Sequence, residues 1–141
     1  MSNFKIFDIA GSAMAAQSVR LNTTASNMAN ASSTAGKAEN AYRARQPVFQ
    51  TVMGDATSNS IEAESTVGVR VTDVIQSDAP LPRVYQPGHP EADADGYVYT
   101  SNVNVVDEMV NMISAARTYQ NNIEVLNTSK DLLLRTLTLG Q

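Results

Sequence analysis

In this chain of 141 residues, one histidine and one acidic run stand where chemistry could be done. His89 lies in Pro87-Gly88-His89-Pro90, a setting that makes it a turn residue. A catalytic imidazole needs a nucleophile, an orienting acid and a preorganised pocket, and none of these is legible around it. The run Glu91-Ala92-Asp93-Ala94-Asp95-Gly96-Tyr97-Val98 imitates the first eight positions of an EF-hand loop, with carboxylates at alternate places before a glycine. Calcium binding of that kind also requires a bidentate Glu at position 12 and a helix on each side. Position 12 is Asn102, and Pro87 and Pro90 bar an incoming helix, so the run reads as an Asp- and Gly-rich turn into a strand. With no cysteine and a single histidine, neither a disulfide nor a thiolate or zinc site is available. Glycine-rich phosphate loops and Gly-x-Ser-x-Gly are absent. The expectation is no enzyme, with no catalytic residue, cofactor or metal.

Composition narrows the class further. The hydrophobic content is 43%, but only 6% is aromatic and tryptophan is missing, so a core must come from small side chains and long seams. Net charge is −4, and the seven arginines and three lysines are scattered, unlike the clustered basic face of a nucleic-acid binder. The first residues lack the basic-then-apolar layout of a secretory signal, and no run of 18 apolar residues could span a bilayer.

The elements follow from periodicity. From Val105 to Leu139 no glycine or proline occurs, and Met109, Met112, Ala116, Tyr119, Ile123, Leu126, Leu133 and Leu137 recur in steps of three and four, with Lys130 as the one polar residue on that register. This predicts one helix about 50 Å long. Val106, Val110, Ile113, Leu132 and Leu134 fall off the register and widen its apolar surface. From Phe4 to Asn30, Phe7, Met14, Leu21 and Met28 repeat every seven, with small residues filling the same side. Gly11 and three asparagines weaken that second helix, which predicts that it is marginal alone. Between them lie a loop over 31–42, an extended piece over 43–53, a turn or loop over 54–60, a strand over 66–75 with a bulge near Asp73, and short extended pieces at 83–85 and 96–99. The expected fold is therefore mainly α with a small β-rich insert. Its long N- and C-terminal helices pack antiparallel as a coiled-coil-like pair, with facing residue numbers adding to about 141 and the insert at the far end. In that register Lys130 would sit near Gly11, where it either reaches Asp8 or, on the plainer reading, snorkels from the seam edge to water. Residues 1–33 and 103–141 would form one helical domain, and 34–102 the insert.

Several blocks carry a resemblance: Phe7-Asp8-Ile9-Ala10-Gly11-Ser12-Ala13-Met14, Tyr42-Arg43-Ala44-Arg45-Gln46-Pro47-Val48-Phe49, Pro87-Gly88-His89-Pro90-Glu91-Ala92, Gly96 to Met109, and Leu126-Asn127-Thr128. From about residue 4 onward the chain resembles the proximal rod proteins of the bacterial flagellar basal body. At 29–36 it departs from their usual Ala-Asn-x-x-Thr-x-Gly-Tyr pattern, with Ser33 in the threonine place and Gly36 one place late. The resemblance implies a structural subunit of the periplasmic drive shaft, exported through the type III channel without a cleavable signal. Other rod subunits and the rod-base adaptor protein would be its partners, with the membrane ring protein a further candidate. The assembly interface would comprise Phe7, Met14, Leu21, Met28, Met109, Met112, Ile113, Ala116, Tyr119, Ile123, Leu126, Leu133 and Leu137, and both termini would be largely disordered in an isolated monomer. A soluble coiled-coil adaptor is the rival reading, and it predicts a discrete stable dimer.

Overall fold

The computed structural model describes residues 3–53 and 67–139. The turn expected over 54–60 lies outside them. In chain order the elements are α1 (Asn3–Ala29), β1 (Thr34–Ala35), β2 (Arg45–Met53), β3 (Val67–Gln76), β4 (Arg83–Tyr85), β5 (Tyr97–Thr100) and α2 (Val105–Leu139). The chain is mainly helical, with two small antiparallel sheets.

Helix α2 starts where its sequence provides a cap. Asn104 Oδ1 accepts the Val106 N–H at 3.0 Å, and Asp107 and Glu108 place negative charge in the first turn, against the positive end of the helix dipole. Helix α1 ends on polar side chains instead of a glycine: Asn30 Nδ2 donates to the Ser26 carbonyl at 2.8 Å and Ser33 Oγ to the Asn30 carbonyl at 2.7 Å.

The two helices pack on each other and run antiparallel, since Asn27 bonds Glu108 while Arg20 bonds Asn111. Those numbers add to 135 and 131, not 141, so the register is shifted by six to ten residues from the sequence expectation. Two polar contacts fix this register; a hydrophobic pattern alone leaves it loose. By that register the start of α1 lies level with about residue 130. Past it α2 overhangs, and of residues 130–138 only Leu133 is even partly covered. Lys130 and Asp8 are both exposed and no ion pair joins them among the described residues.

The inward face of α2 differs from the expected one by a rotation. Its buried and half-buried positions are Glu108, Asn111, Met112, Ala115, Ala116, Thr118, Tyr119, Asn122, Leu126, Ser129 and Leu133, a stripe in which Met112, Tyr119, Leu126 and Leu133 recur every seven residues. Met112, Ala116, Tyr119, Leu126 and Leu133 belong to the expected seam, but Met109, Ile123 and Leu137 lie outside the inward face and are 49%, 37% and 69% exposed. The helix is turned by about 50°, half the 100° step of one residue, so that Glu108 and Asn111 reach their partners on α1.

Helix α1 is flanked twice, which accounts for its small side chains. Strands β2 and β3 form a two-stranded ribbon that folds back along it: the Arg45 N–H meets Asn27 at one end and the Val69 N–H meets Ser12 Oγ at the other. This corrects the expectation of an insert confined to the far end. The ribbon approaches closely at Gly68, where an added Cβ would lie 3.2 Å from Ser12 Oγ. Ala10, Ala16, Thr24 and Asn27 of α1 are buried accordingly. The bulge falls where expected, for Val48 faces Asp73 while Phe49 faces Val71, leaving Thr72 unpaired.

The second sheet has the order β1-β5-β4. Strand β1 lies inside the stretch 31–42 expected as loop, since two residues carry no period; it forms by pairing Thr34 with Thr100 and Ala35 with Tyr99. Its neighbour Gly36 must be glycine, since a Cβ there would sit 2.5 Å from the Glu91 carbonyl oxygen. That contact explains the late glycine in the 29–36 block.

Candidate assembly interface

The residues singled out for chemistry are turn builders. Asp93 Oδ1 accepts the N–H groups of Asp95 at 3.0 Å and Tyr97 at 2.8 Å, and Oδ2 meets Arg83 Nη2 at 2.7 Å. The Tyr97 N–H above all holds the Asp93 carboxyl below its usual range; desolvation opposes it, and the Arg83 guanidinium and the Asp95 N–H add to the lowering. Gly96 closes the turn at φ 81°. The Arg83 guanidinium also lies over the rings of Tyr97 and Tyr99, at 4.8 and 5.4 Å. His89 Nδ1 takes the Glu91 N–H at 3.2 Å and Nε2 lies 3.2 Å from Thr34 Oγ1, so the imidazole ties the turn to β1. Asn102, standing where a calcium loop would need its glutamate, is a brace: Oδ1 accepts the Ala44 N–H at 2.7 Å and Nδ2 donates to the Ala79 carbonyl at 3.0 Å. Among the described residues no group of three His, Cys, Asp or Glu side chains could hold a metal ion, and no helix is long and apolar enough to cross a membrane.

The most connected side chain is one that periodicity did not single out. Asn27 is 1% exposed and uses its whole hydrogen-bonding capacity. Its Nδ2 donates to the Arg45 carbonyl at 2.8 Å and to Glu108 Oε1 at 3.0 Å; its Oδ1 accepts the Arg45 N–H at 2.9 Å and the Tyr42 hydroxyl at 3.0 Å. One amide thus joins α1, the segment before β2, the ribbon and the base of α2. Its neighbours on the same side of α1, Arg20, Thr23, Thr24 and Asn30, are polar too, so no break in an apolar stripe marked it in the sequence.

The structure divides the expected interface into two groups. Phe7, Met14, Leu21, Met28, Met112, Ala116, Tyr119, Leu126 and Leu133 are half-buried within the chain. Met109, Ile113, Ile123 and Leu137 are exposed, the last at 69%. Around them the apolar surface continues through Val106 at 67%, Val110 at 62%, Leu132 at 58% and Leu134 at 51%. Exposed apolar residues scattered singly are ordinary, whereas contiguous ones on one helix mark an interaction surface.

A fold of two long terminal helices carrying a β-rich insert, with an apolar outer helix face and no reaction centre among the described residues, defines a structural assembly protein. Family comparison agrees. The model described as "Flagella basal body rod protein" matches residues 7–36, and that described as "Flagellar basal body rod FlgEFG protein C-terminal" matches residues 94–139. The flagellar basal-body rod protein FlgC of Salmonella typhimurium is 56% identical over 141 residues, covering the whole of both chains, as is that of Yersinia enterocolitica. The FlgC of Buchnera aphidicola subsp. Acyrthosiphon pisum is 46% identical over 143 residues, again across both. The chain belongs to the FlgC family of flagellar basal-body rod proteins: it is a structural subunit of the rod and not an enzyme.

Proposed function

We propose that the chain builds the rod through its two long helices, which line up with those of neighbouring subunits in a helical array that transmits torque across the periplasm. The observation that carries this reading is the outer face of α2, where Val106, Val110 and Ile113 stand at helical spacing and more than half exposed. Heterologous contacts that do not close produce such an array. The two helices pair in a coiled-coil-like manner, a reading supported by the return of Met112, Tyr119, Leu126 and Leu133 every seven residues within the half-buried stripe of α2. Residues 1–33 and 103–141 act as the helical domain of assembly, and 34–102 as the insert facing outward. The thirteen apolar residues from Phe7 to Leu137 named above form the interface, some across the pair and some between subunits. Partners are other rod subunits, the rod-base adaptor protein and the membrane ring protein, reached after type III export without a cleavable signal.

The far ends of both helices, remote from Asn27 and with no described residue of α2 fully buried beyond Ala115, order only on assembly. Hydrogen exchange tests this. Amides near the start of α1 and the end of α2 should exchange freely in a dilute monomer and become protected in isolated basal bodies. Full protection of both helices in the monomer would contradict it, as would a stable discrete dimer in solution, the mark of an adaptor.

A further inference from the structure

Where α1, the ribbon and the base of α2 meet, they leave a cleft of about 380 Å³. Its walls include Arg20 of α1, Arg45, Pro47 and Phe49 of β2, and Glu108 and Asn111 of α2. The fold already engages Glu108, which is 9% exposed and accepts a hydrogen bond from Asn27. The two arginines are not matched in this way. Arg20 Nη2 donates to Asn111 Oδ1 at 2.8 Å, which anchors its guanidinium at the wall of the cleft. The Arg45 guanidinium lies 5.5 Å from the centre of the Tyr42 ring. Among the described residues neither forms an ion pair, whereas Arg83 does, with Asp93. We propose that this cleft receives an acidic side chain of a neighbouring rod subunit of another kind, carried beside an apolar residue that packs on Phe49 and Pro47. This deepens the rod-subunit reading and rests on it.

Charge selects that occupant first. Arg20 and Arg45 face the single carboxylate of Glu108, so the lining carries one positive charge in excess and one further carboxylate balances it. Donor geometry comes second. A guanidinium offers a planar fork of N–H donors that matches a carboxylate, and two such forks reach the cleft from different elements. The third is the apolar wall. Phe49 is 41% exposed beside the half-buried Pro47, and covering both would shut water away from the charges and strengthen their attraction. Size limits the guest, for small-ligand pockets run from roughly 300 to 1,000 Å³ and this cleft lies at the low end, fit for a few side chains and not for a whole helix. A second copy is the poorer candidate, because each copy carries a net charge of −4 and like charge opposes their approach.

Photo-crosslinking in assembled basal bodies tests this. The full-length chain is expressed in cells with the photoreactive benzoylphenylalanine at Phe49, or at the adjoining Gln46 if that chain fails to incorporate; basal bodies are irradiated and the adduct is mapped by mass spectrometry. The adduct should join this chain to a different protein, at a site within one helical turn of an Asp or Glu. Arg45→Glu should keep wild-type helix content by circular dichroism and lower incorporation into basal bodies about tenfold, since a like charge then meets the incoming carboxylate. Arg45→Gln should lower it less and serves if the first variant misfolds. Changing the mapped acid to Arg should restore incorporation of Arg45→Glu. Arg70→Glu, exposed on β3 and outside the cleft, is the control and should incorporate normally. An adduct to a second copy, an adduct far from any carboxylate, or no adduct from incorporated chains would overturn the proposal. Normal incorporation of Arg45→Glu, an equal loss with Arg70→Glu, or no rescue by the charge swap would overturn it as well. None of these outcomes touches the rod-subunit reading, which fails only if the wild-type chain is missing from basal bodies.

Discussion

At the scale of single residues, polar side chains set what the apolar pattern leaves free. Asn27 shows this most clearly, because removing it takes the partner from the Arg45 N–H and from the buried Glu108 Oε1 and leaves the Tyr42 hydroxyl with Ser26 alone. Asn27→Ala is expected to cost about 3 kcal/mol or more in urea unfolding, at the severe end for a point change. Glu108→Gln keeps the accepting oxygen and should cost less than about 1 kcal/mol, whereas Glu108→Leu should approach the cost of Asn27→Ala. Asp93 gives a pH dependence. Its carboxyl is held below the usual value of 3.8, chiefly by the Tyr97 N–H and then by Arg83. A depressed folded value means the contribution is fully present above the unfolded value and is lost as pH falls through the folded one. Stability attributable to Asp93 should therefore be constant from neutrality to about pH 5 and decline only in more acid solution. Comparing acid titrations of the wild type and Asp93→Asn checks this, and identical profiles below pH 4 would contradict it.

At the scale of elements, most of the layout was legible. The bounds of α2 follow from the uninterrupted run after Asn104, and the ribbon with its bulge from period-two alternation that slips at Asp73. What escaped was set by contacts between distant segments. Strand β1 exists only because β5 pairs with it, and the rotation of α2 exists because Glu108 and Asn111 have partners 81 and 91 residues away. The same reasoning marks two glycines as structural. At Gly96 an added Cβ would lie 2.9 Å from the Tyr85 ring and 3.1 Å from Pro87, with φ already at 81°. Gly96→Ala should cost about 1–2 kcal/mol from backbone conformation, before any clash. Gly36→Ala forces β1 away from the Glu91 carbonyl, and loss of protection at the Ser101 amide, which bonds the Ser33 carbonyl, would report it.

At the scale of the whole molecule, the chain spends its polar precision on one end and leaves its apolar surface at the other side. The Asn27 cluster, the Asn102 brace and the Asp93 turn gather where the insert joins the helices. The outer face of α2 has no comparable partner within the chain among the described residues. The assembly role of the terminal helices was readable from their seams, but which half of the α2 seam stays outside was not. That depends on the register fixed by Arg20 and Asn27.

The most direct measurement separates folding from assembly at one exposed position. Val110 is 62% exposed and touches none of the polar clusters, so Val110→Glu should leave the urea midpoint of the isolated chain within about 0.5 kcal/mol of wild type. In cells whose only copy carries it, the chain should be missing from purified basal bodies and swimming should be lost. Normal incorporation of Val110→Glu, with normal swimming, would contradict the claim that the outer face of α2 builds the rod.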